Sequence, residues 1–297
     1  MLLALTLVTP DSAALQEAGA LAATAVASAG GRVKEPRALG AGAADYLVEA
    51  DDPDDIAAAL RPALADLPVD IAVQPWVGRR KRLLVADMDS TIIGCECLDE
   101  LADFAGVKAE VADITERAMR GEIAFEGALR ARVFMLKGLK LEALERCYDE
   151  RVRLNPGART LVRTMAAHGA RCVLVSSGFR FFTQRVAAAA GFQADWGNAL
   201  LHEGGVLTGA VGEPILGKAA KLAALHEESA ALGIGLDATV AVGDGANDLL
   251  MIQGAGLGVA YRAKPVVAAE ADVRVEHADL TALLYFQGYA EAAFATD

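Results

Sequence analysis

The stretch Leu83-Leu84-Val85-Ala86-Asp87-Met88-Asp89-Ser90-Thr91 constrains this chain more than any other. Four apolar residues in a row, with charge on both sides, read as a short strand buried on both faces. Two carboxylates two positions apart follow at once, then two hydroxyls. Strands buried on both faces belong to parallel sheets covered by helices, and such sheets bind ligands outside the carboxyl ends of their strands. Asp87 and Asp89 therefore stand where a sheet presents chemistry. Taken alone, Asp-x-Asp reads equally well as an acidic turn after a strand.

Two later stretches repeat the pattern. Ser176-Ser177-Gly178 follows the apolar run Cys172–Val175, and Gly243-Asp244-Gly245-Ala246-Asn247-Asp248 follows Thr239–Val242. Between them Gly217-Lys218-Ala219-Ala220-Lys221-Leu222 reads as a helix start. Each strand ends in a different polar device: paired carboxylates, a hydroxyl, and a glycine-loosened acidic loop. Three unrelated turns do not explain that ordered set.

Asp-x-Asp-x-Thr, then Ser after a strand, then Lys, then Gly-Asp-Gly-x-x-Asp resembles the signature of the haloacid dehalogenase superfamily of phosphohydrolases. Within it, Asp87–Thr91, Glu96, Leu98-Asp99-Glu100, Arg130-Ala131-Arg132-Val133 and Gly243–Asp248 are similar to the phosphoserine phosphatases. The likeness runs from about residue 82 to the C-terminus. One departure shows: Ser177 stands where that family usually has glycine. A serine keeps the backbone N–H that would face phosphate, but it adds a side chain and restricts the backbone.

The resemblance implies an α/β fold: a doubly wound, parallel-sheet (Rossmann-like) hydrolase core with a helical cap insert. It implies Mg²⁺-dependent hydrolysis of O-phospho-L-serine to L-serine and phosphate through an aspartyl-phosphate. Asp87 would be the nucleophile and Asp89 the general acid and base. Asp87, Asp244 and the Asp89 carbonyl would hold Mg²⁺, with Asp248 orienting them. Ser176, the Ser177 N–H and Lys218 would stabilise the transferring phosphoryl group; Lys221 is a neighbouring candidate, but family position favours Lys218. Asn247 would bind substrate or phosphate. Glu96 would meet the substrate ammonium, Arg132 its carboxylate, and Met119 and Phe125 would face the substrate from the cap.

The net charge of −12 argues against nonspecific binding to nucleic acid or an anionic membrane, so an anionic substrate must be attracted locally. The apolar start Met1–Val8 lacks a basic flank and reads as a strand rather than a leader. The mean hydropathy is +0.31, yet no stretch approaches the ~18–20 uninterrupted apolar residues of a membrane helix. Cys95-Glu96-Cys97 has no second Cys pair or His cluster to complete a zinc site, and a reducing cytoplasm is the expected compartment.

Residues 1–76 read as a separate unit of order β-α-β-β-α-β, a ferredoxin-like pattern that resembles ACT-type regulatory modules. Pro75–Gly78 and Arg79-Arg80-Lys81-Arg82 read as a solvated linker (residues 77–82) before the phosphatase unit at 83–297, and residues 80–297 are expected to fold alone. Residues 95–155 interrupt the strand-helix alternation with apolar residues at helical spacing: the cap. Residues 199–203 and 206–211 around Gly204-Gly205 read as a hairpin. The rival readings are a related phosphatase or phosphotransferase for another small phosphomonoester, and an amino-acid-sensing binding protein. The oligomeric state is left open, a homodimer among the options.

Overall fold

The computed structural model describes residues 1–120 and 122–296, with the Met119 side chain left out. The first unit comprises β1 (Leu2–Val8), α1 (Ser12–Ser28), β2 (Arg32–Gly40), β3 (Ala43–Glu49), α2 (Pro53–Ala63) and β4 (Asp70–Pro75). Its helices begin where capping chemistry dictates. The Asp11 carboxylate accepts the Ala13 N–H at 2.9 Å, and Asp52 accepts that of Asp54 at 2.8 Å with Pro53 in the first turn. The strands form an antiparallel sheet of order β2-β3-β1-β4. One face, carrying Leu3, Leu5, Leu7, Tyr46 and Val48, packs with Ala18, Ala22, Ile56 and Leu60 of the helices.

The second unit begins at β5 (Leu83–Ala86) and continues with four cap helices: α3 (Cys97–Ala105), α4 (Lys108–Met119), α5 (Phe125–Met135) and α6 (Leu141–Arg151). The core resumes with α7 (Ala158–Ala167), β6 (Arg171–Phe179), α8 (Arg180–Ala190) and β7 (Ala194–Asn198). A hairpin of β8 (Leu200–Glu203) and β9 (Val206–Val211) follows, then α9 (Lys218–Leu232) and β10 (Thr239–Gly243). The chain finishes with α10 (Leu249–Gly254), β11 (Gly258–Tyr261), α11 (Pro265–Glu270), β12 (Val273–Val275) and α12 (Ala282–Phe286).

The six-stranded sheet is parallel throughout, in the order β12-β11-β10-β5-β6-β7. β5 is central and fully buried. Leu84 and Ala86 join the cluster on one face of the sheet, and Leu83 and Val85 join that on the other. Burying a leucine this completely contributes roughly 1.5–3 kcal/mol. Because β10 and β6 flank β5, the three polar devices at their carboxyl ends come out side by side. The cap leaves and rejoins the core at one place, where Ile93 and Leu154 form an antiparallel bridge.

The basic run before β5 differs from the solvated linker expected. Arg79 and Lys81 are buried. Arg79 pairs with the buried Asp45 of β3, and Lys81 Nζ donates to the carbonyls of Asp237 at 2.7 Å and Gly256 at 3.2 Å. The second face of the N-terminal sheet docks on the phosphatase unit. Val8, Leu39, Ala43 and Ala72 belong to its main apolar cluster. The Asp70 carboxylate accepts the N–H groups of Glu276, His277 and Ala278 at 2.8–3.3 Å. A charge run read in isolation gave no sign of the opposing Asp45 or of the carbonyls that receive Lys81.

Candidate active site

The ends of β5, β6 and β10 meet the cap helices around a cleft of about 470 Å³. Asp87, Asp89, Glu96, Phe125, Arg132, Ser176, Ser177, Asp244 and Asn247 all line it, so nearly every residue singled out in the sequence converges there. Two do not. Lys218 opens α9 exposed to solvent and is not among the lining residues. The Met119 side chain lies outside the described residues.

Asp87 caps the turn Met88–Ile92 and accepts the Met88 N–H at 2.8 Å. Ser90 takes left-handed backbone there, with φ 57°, a conformation in which serine is strained. The lysine that meets Asp87 is Lys221. Its Nζ, 1% exposed, lies 2.6 Å from Asp87 Oδ1 and 2.6 Å from Asp248 Oδ1. This corrects the choice of Lys218. The two lysines lie three residues apart and share a helix face, and the docking of α9 on the sheet turns only the second toward β5.

Burial and then the charge of Asp248 push the Asp87 carboxyl well above its usual range, against the pull of Lys221. For Lys221, burial opposes the charge, but Asp248 and Asp87 outweigh it and hold the ammonium above the ordinary lysine value. Asp89 faces the other way. It accepts the Cys97 N–H at 2.9 Å and the Ser176 hydroxyl at 3.1 Å, and burial followed by Glu96 pushes it up to about 6. Glu96 in turn accepts the Ser90 hydroxyl at 2.6 Å.

The loop after β6 is tight. A Cβ on Gly178 would stand 2.9 Å from both Asp89 Oδ2 and Ser176 Oγ, so only glycine fits there. One position earlier the chain tolerates Ser177, whose hydroxyl is buried and has no partner among the described residues. Asn198, which sequence reasoning missed, holds this loop in place. Its Nδ2 donates to Ser177 O at 2.8 Å and Leu216 O at 3.1 Å, and its Oδ1 accepts the Leu216 N–H at 2.7 Å. It thereby ties the β6 loop to the approach to α9. Asp-Trp-Gly-Asn has no apolar alternation, so no local signal marks β7 or its last residue.

Carboxylate oxygens of Asp87, Asp244 and Asp248 lie within 4.8 Å of one another. Asp248 spends Oδ1 on Lys221 and Oδ2 on the N–H groups of Asp244 and Gly245 at 3.2 and 3.0 Å, so it orients the others. Asp244 accepts the Thr91 hydroxyl at 3.3 Å through Oδ1. Among the described residues the second oxygens of Asp87 and Asp244 have no protein donor. An all-oxygen, anionic set suits a hard divalent cation such as Mg²⁺. The Asp89 carboxylate is not part of that cluster, which leaves only its backbone carbonyl for such a role. Burial, then Asp248 and Glu96, push Asp244 up to about 6.

Residues 84–253 match the family described as haloacid dehalogenase-like hydrolase. The chain belongs to the haloacid dehalogenase-like hydrolases. That stretch contains Asp87, Asp89, Ser176 and Asp244 of the cleft just described. A phosphoserine phosphatase of Archaeoglobus fulgidus is 46% identical over 226 residues, 75% of this chain and 65% of its own length. This chain thus spans just under two thirds of that relative. Among solved structures, a probable phosphoserine phosphatase from Vibrio cholerae aligns at TM-score 0.79 and 32% identity, over 98% of this chain and 88% of its own. A phospho-aspartyl intermediate analogue of phosphoserine phosphatase aligns at TM-score 0.65 and 38% identity, over 70% of this chain and 99% of its own.

Proposed function

We propose that this hydrolase is a Mg²⁺-dependent phosphoserine phosphatase that releases L-serine and phosphate. The observation that carries the reading is the charge pattern of one cleft. Glu96 and Arg132 line it together with Asp87 and Asp89. A substrate carrying phosphate, ammonium and carboxylate needs an acidic and a basic group beside the phosphate site. Arg132 offers a planar fork suited to a carboxylate; among the described residues it donates to the Ala128 carbonyl at 3.3 Å and to Thr115 Oγ1 at 3.4 Å.

In this reading an Asp87 oxygen attacks phosphorus, and the ester oxygen leaves with the proton of Asp89. Water then attacks the aspartyl-phosphate while Asp89 takes its proton, freeing phosphate and regenerating Asp87. An acid of pKa about 6 serves both steps near neutrality. Ser176, the Ser177 N–H and Lys221 offset charge on the phosphoryl oxygens. Asp87, Asp244 and the Asp89 carbonyl would hold Mg²⁺, which supplies Lewis-acid neutralisation of the phosphate when bound. The four free cysteines fit a reducing cytoplasm.

The test is phosphate release from phosphoserine, phosphoethanolamine and other small phosphomonoesters, with and without Mg²⁺. Arg132→Ala should lose at least about tenfold in kcat/KM on phosphoserine and much less on phosphoethanolamine, which has no carboxylate. Glu96→Gln should weaken both. Equal losses for Arg132→Ala on the two substrates would remove Arg132 from carboxylate recognition and leave phosphoserine one candidate among several.

A further inference from the structure

A second cleft, of about 310 Å³, opens where α2 and β4 of the N-terminal unit meet β12 and the turn after it. Interfaces between units are favoured places for small ligands. This cleft holds Arg274 from the phosphatase unit and Arg61 from the N-terminal unit. The Nε of Arg274 is closed off from solvent and has no hydrogen-bond partner among the described residues. A guanidinium N–H buried in that state is unfavourable until an acceptor reaches it. Arg61 is exposed at the rim, and among the described residues neither arginine forms an ion pair.

Asp70, Asp272 and Glu276 line the cleft as well, and the first two accept backbone N–H groups. Both oxygens of Asp70 accept backbone N–H groups of residues 276–278, and Asp272 Oδ2 accepts the Gly258 N–H at 2.7 Å. Glu276 stands exposed. Among the described residues none supplies an acceptor to the Arg274 Nε. We infer that this cleft binds a small oxyanion, a carboxylate or a phosphate, between Arg274 and Arg61. Two guanidinium side chains lining one cavity suit the planar or tetrahedral oxygens of such groups. With one arginine on each unit, the bound anion ties the N-terminal sheet to the phosphatase core.

Hydrogen exchange of the full chain, read peptide by peptide, tests this with two probes: succinate and inorganic phosphate. The peptide readout separates this cleft from the catalytic one, which phosphate also enters. Millimolar probe should slow exchange in segments 61–73 and 272–278 of the wild type. Slowing by succinate alone assigns a carboxylate ligand, and slowing by phosphate alone assigns a phosphate. Arg274→Met and Arg61→Gln should each raise the concentration needed by at least about tenfold, with phosphomonoester turnover unchanged. Arg61 is exposed, so its variant keeps the test valid if Arg274→Met folds poorly. No slowing by either probe overturns the inference, as does equal slowing in wild type and a folded variant.

Discussion

Lys221 Nζ stands 2.6 Å from Asp87 Oδ1, and neither side chain is more than 6% exposed. The ammonium favours the charged form of an aspartate whose carboxyl burial and Asp248 push upward. Lys221→Met should lower the rate of phosphate release by about 10²–10³, the usual loss on deleting one charge-stabilising donor. Lys218→Ala, at the exposed start of α9, should stay within a few-fold of wild type. The reverse ranking would restore Lys218 as the catalytic lysine.

Asp87→Asn removes the nucleophile while keeping its volume and its acceptor for the Met88 N–H. Turnover should fall to background with the far-ultraviolet circular dichroism unchanged. In wild type, a fluoride–beryllium phosphate mimic should show electron density joined to Asp87. Appreciable turnover by the asparagine variant would eliminate a covalent aspartyl intermediate.

Metal binding should follow the site's titration. Asp89 and Asp244 are both raised to about 6 by burial and neighbouring acids. A raised folded pKa means that their contribution to stability is complete below the unfolded value of roughly 3.9. It is lost as pH rises through about 6, where the carboxylates charge and repel one another. A divalent cation held by Asp87 and Asp244 should reverse the Asp244 part of that loss, and only where Asp244 is ionised. The rise in Tm on replacing EDTA with Mg²⁺ should therefore be small at pH 5 and grow through pH 6 to 7. A pH-independent shift would place the cation elsewhere.

Asp70 accepts three N–H groups of the phosphatase unit from within the N-terminal one. Asp70→Ala leaves the N–H groups of residues 276–278 unpaired, that of Ala278 buried, and should cost about 1–3 kcal/mol of stability in urea unfolding. Removing residues 1–79 exposes the partners of Val8, Leu39, Ala43 and Ala72 and should lower Tm further. A truncated chain as stable as the full one would show that this interface contributes nothing.

Asn198 joins Ser177 and Leu216 through three hydrogen bonds. Asn198→Ala should reduce kcat more than it raises KM, because the loop it holds faces the transferring phosphoryl group in the proposed reaction. A change confined to KM would argue against that role.

The sequence by itself determined the elements that depend on neighbours a few residues away. Apolar runs marked β5, β6 and β10, and the polar groups after each strand marked the chemistry. It also separated the cap, whose helical spacing stands apart from the strand-helix alternation. Only the tertiary structure decided between Lys218 and Lys221, since residues on one helix face differ by how the helix docks and not by spacing. Only the fold, too, brought Asn198 to the β6 loop, and it buried Arg79 and Lys81 against Asp45 and distant carbonyls. In each case the deciding partner lies tens to hundreds of residues away. Burial in a low-dielectric interior then sets what each charged group can do, and no local pattern encodes it.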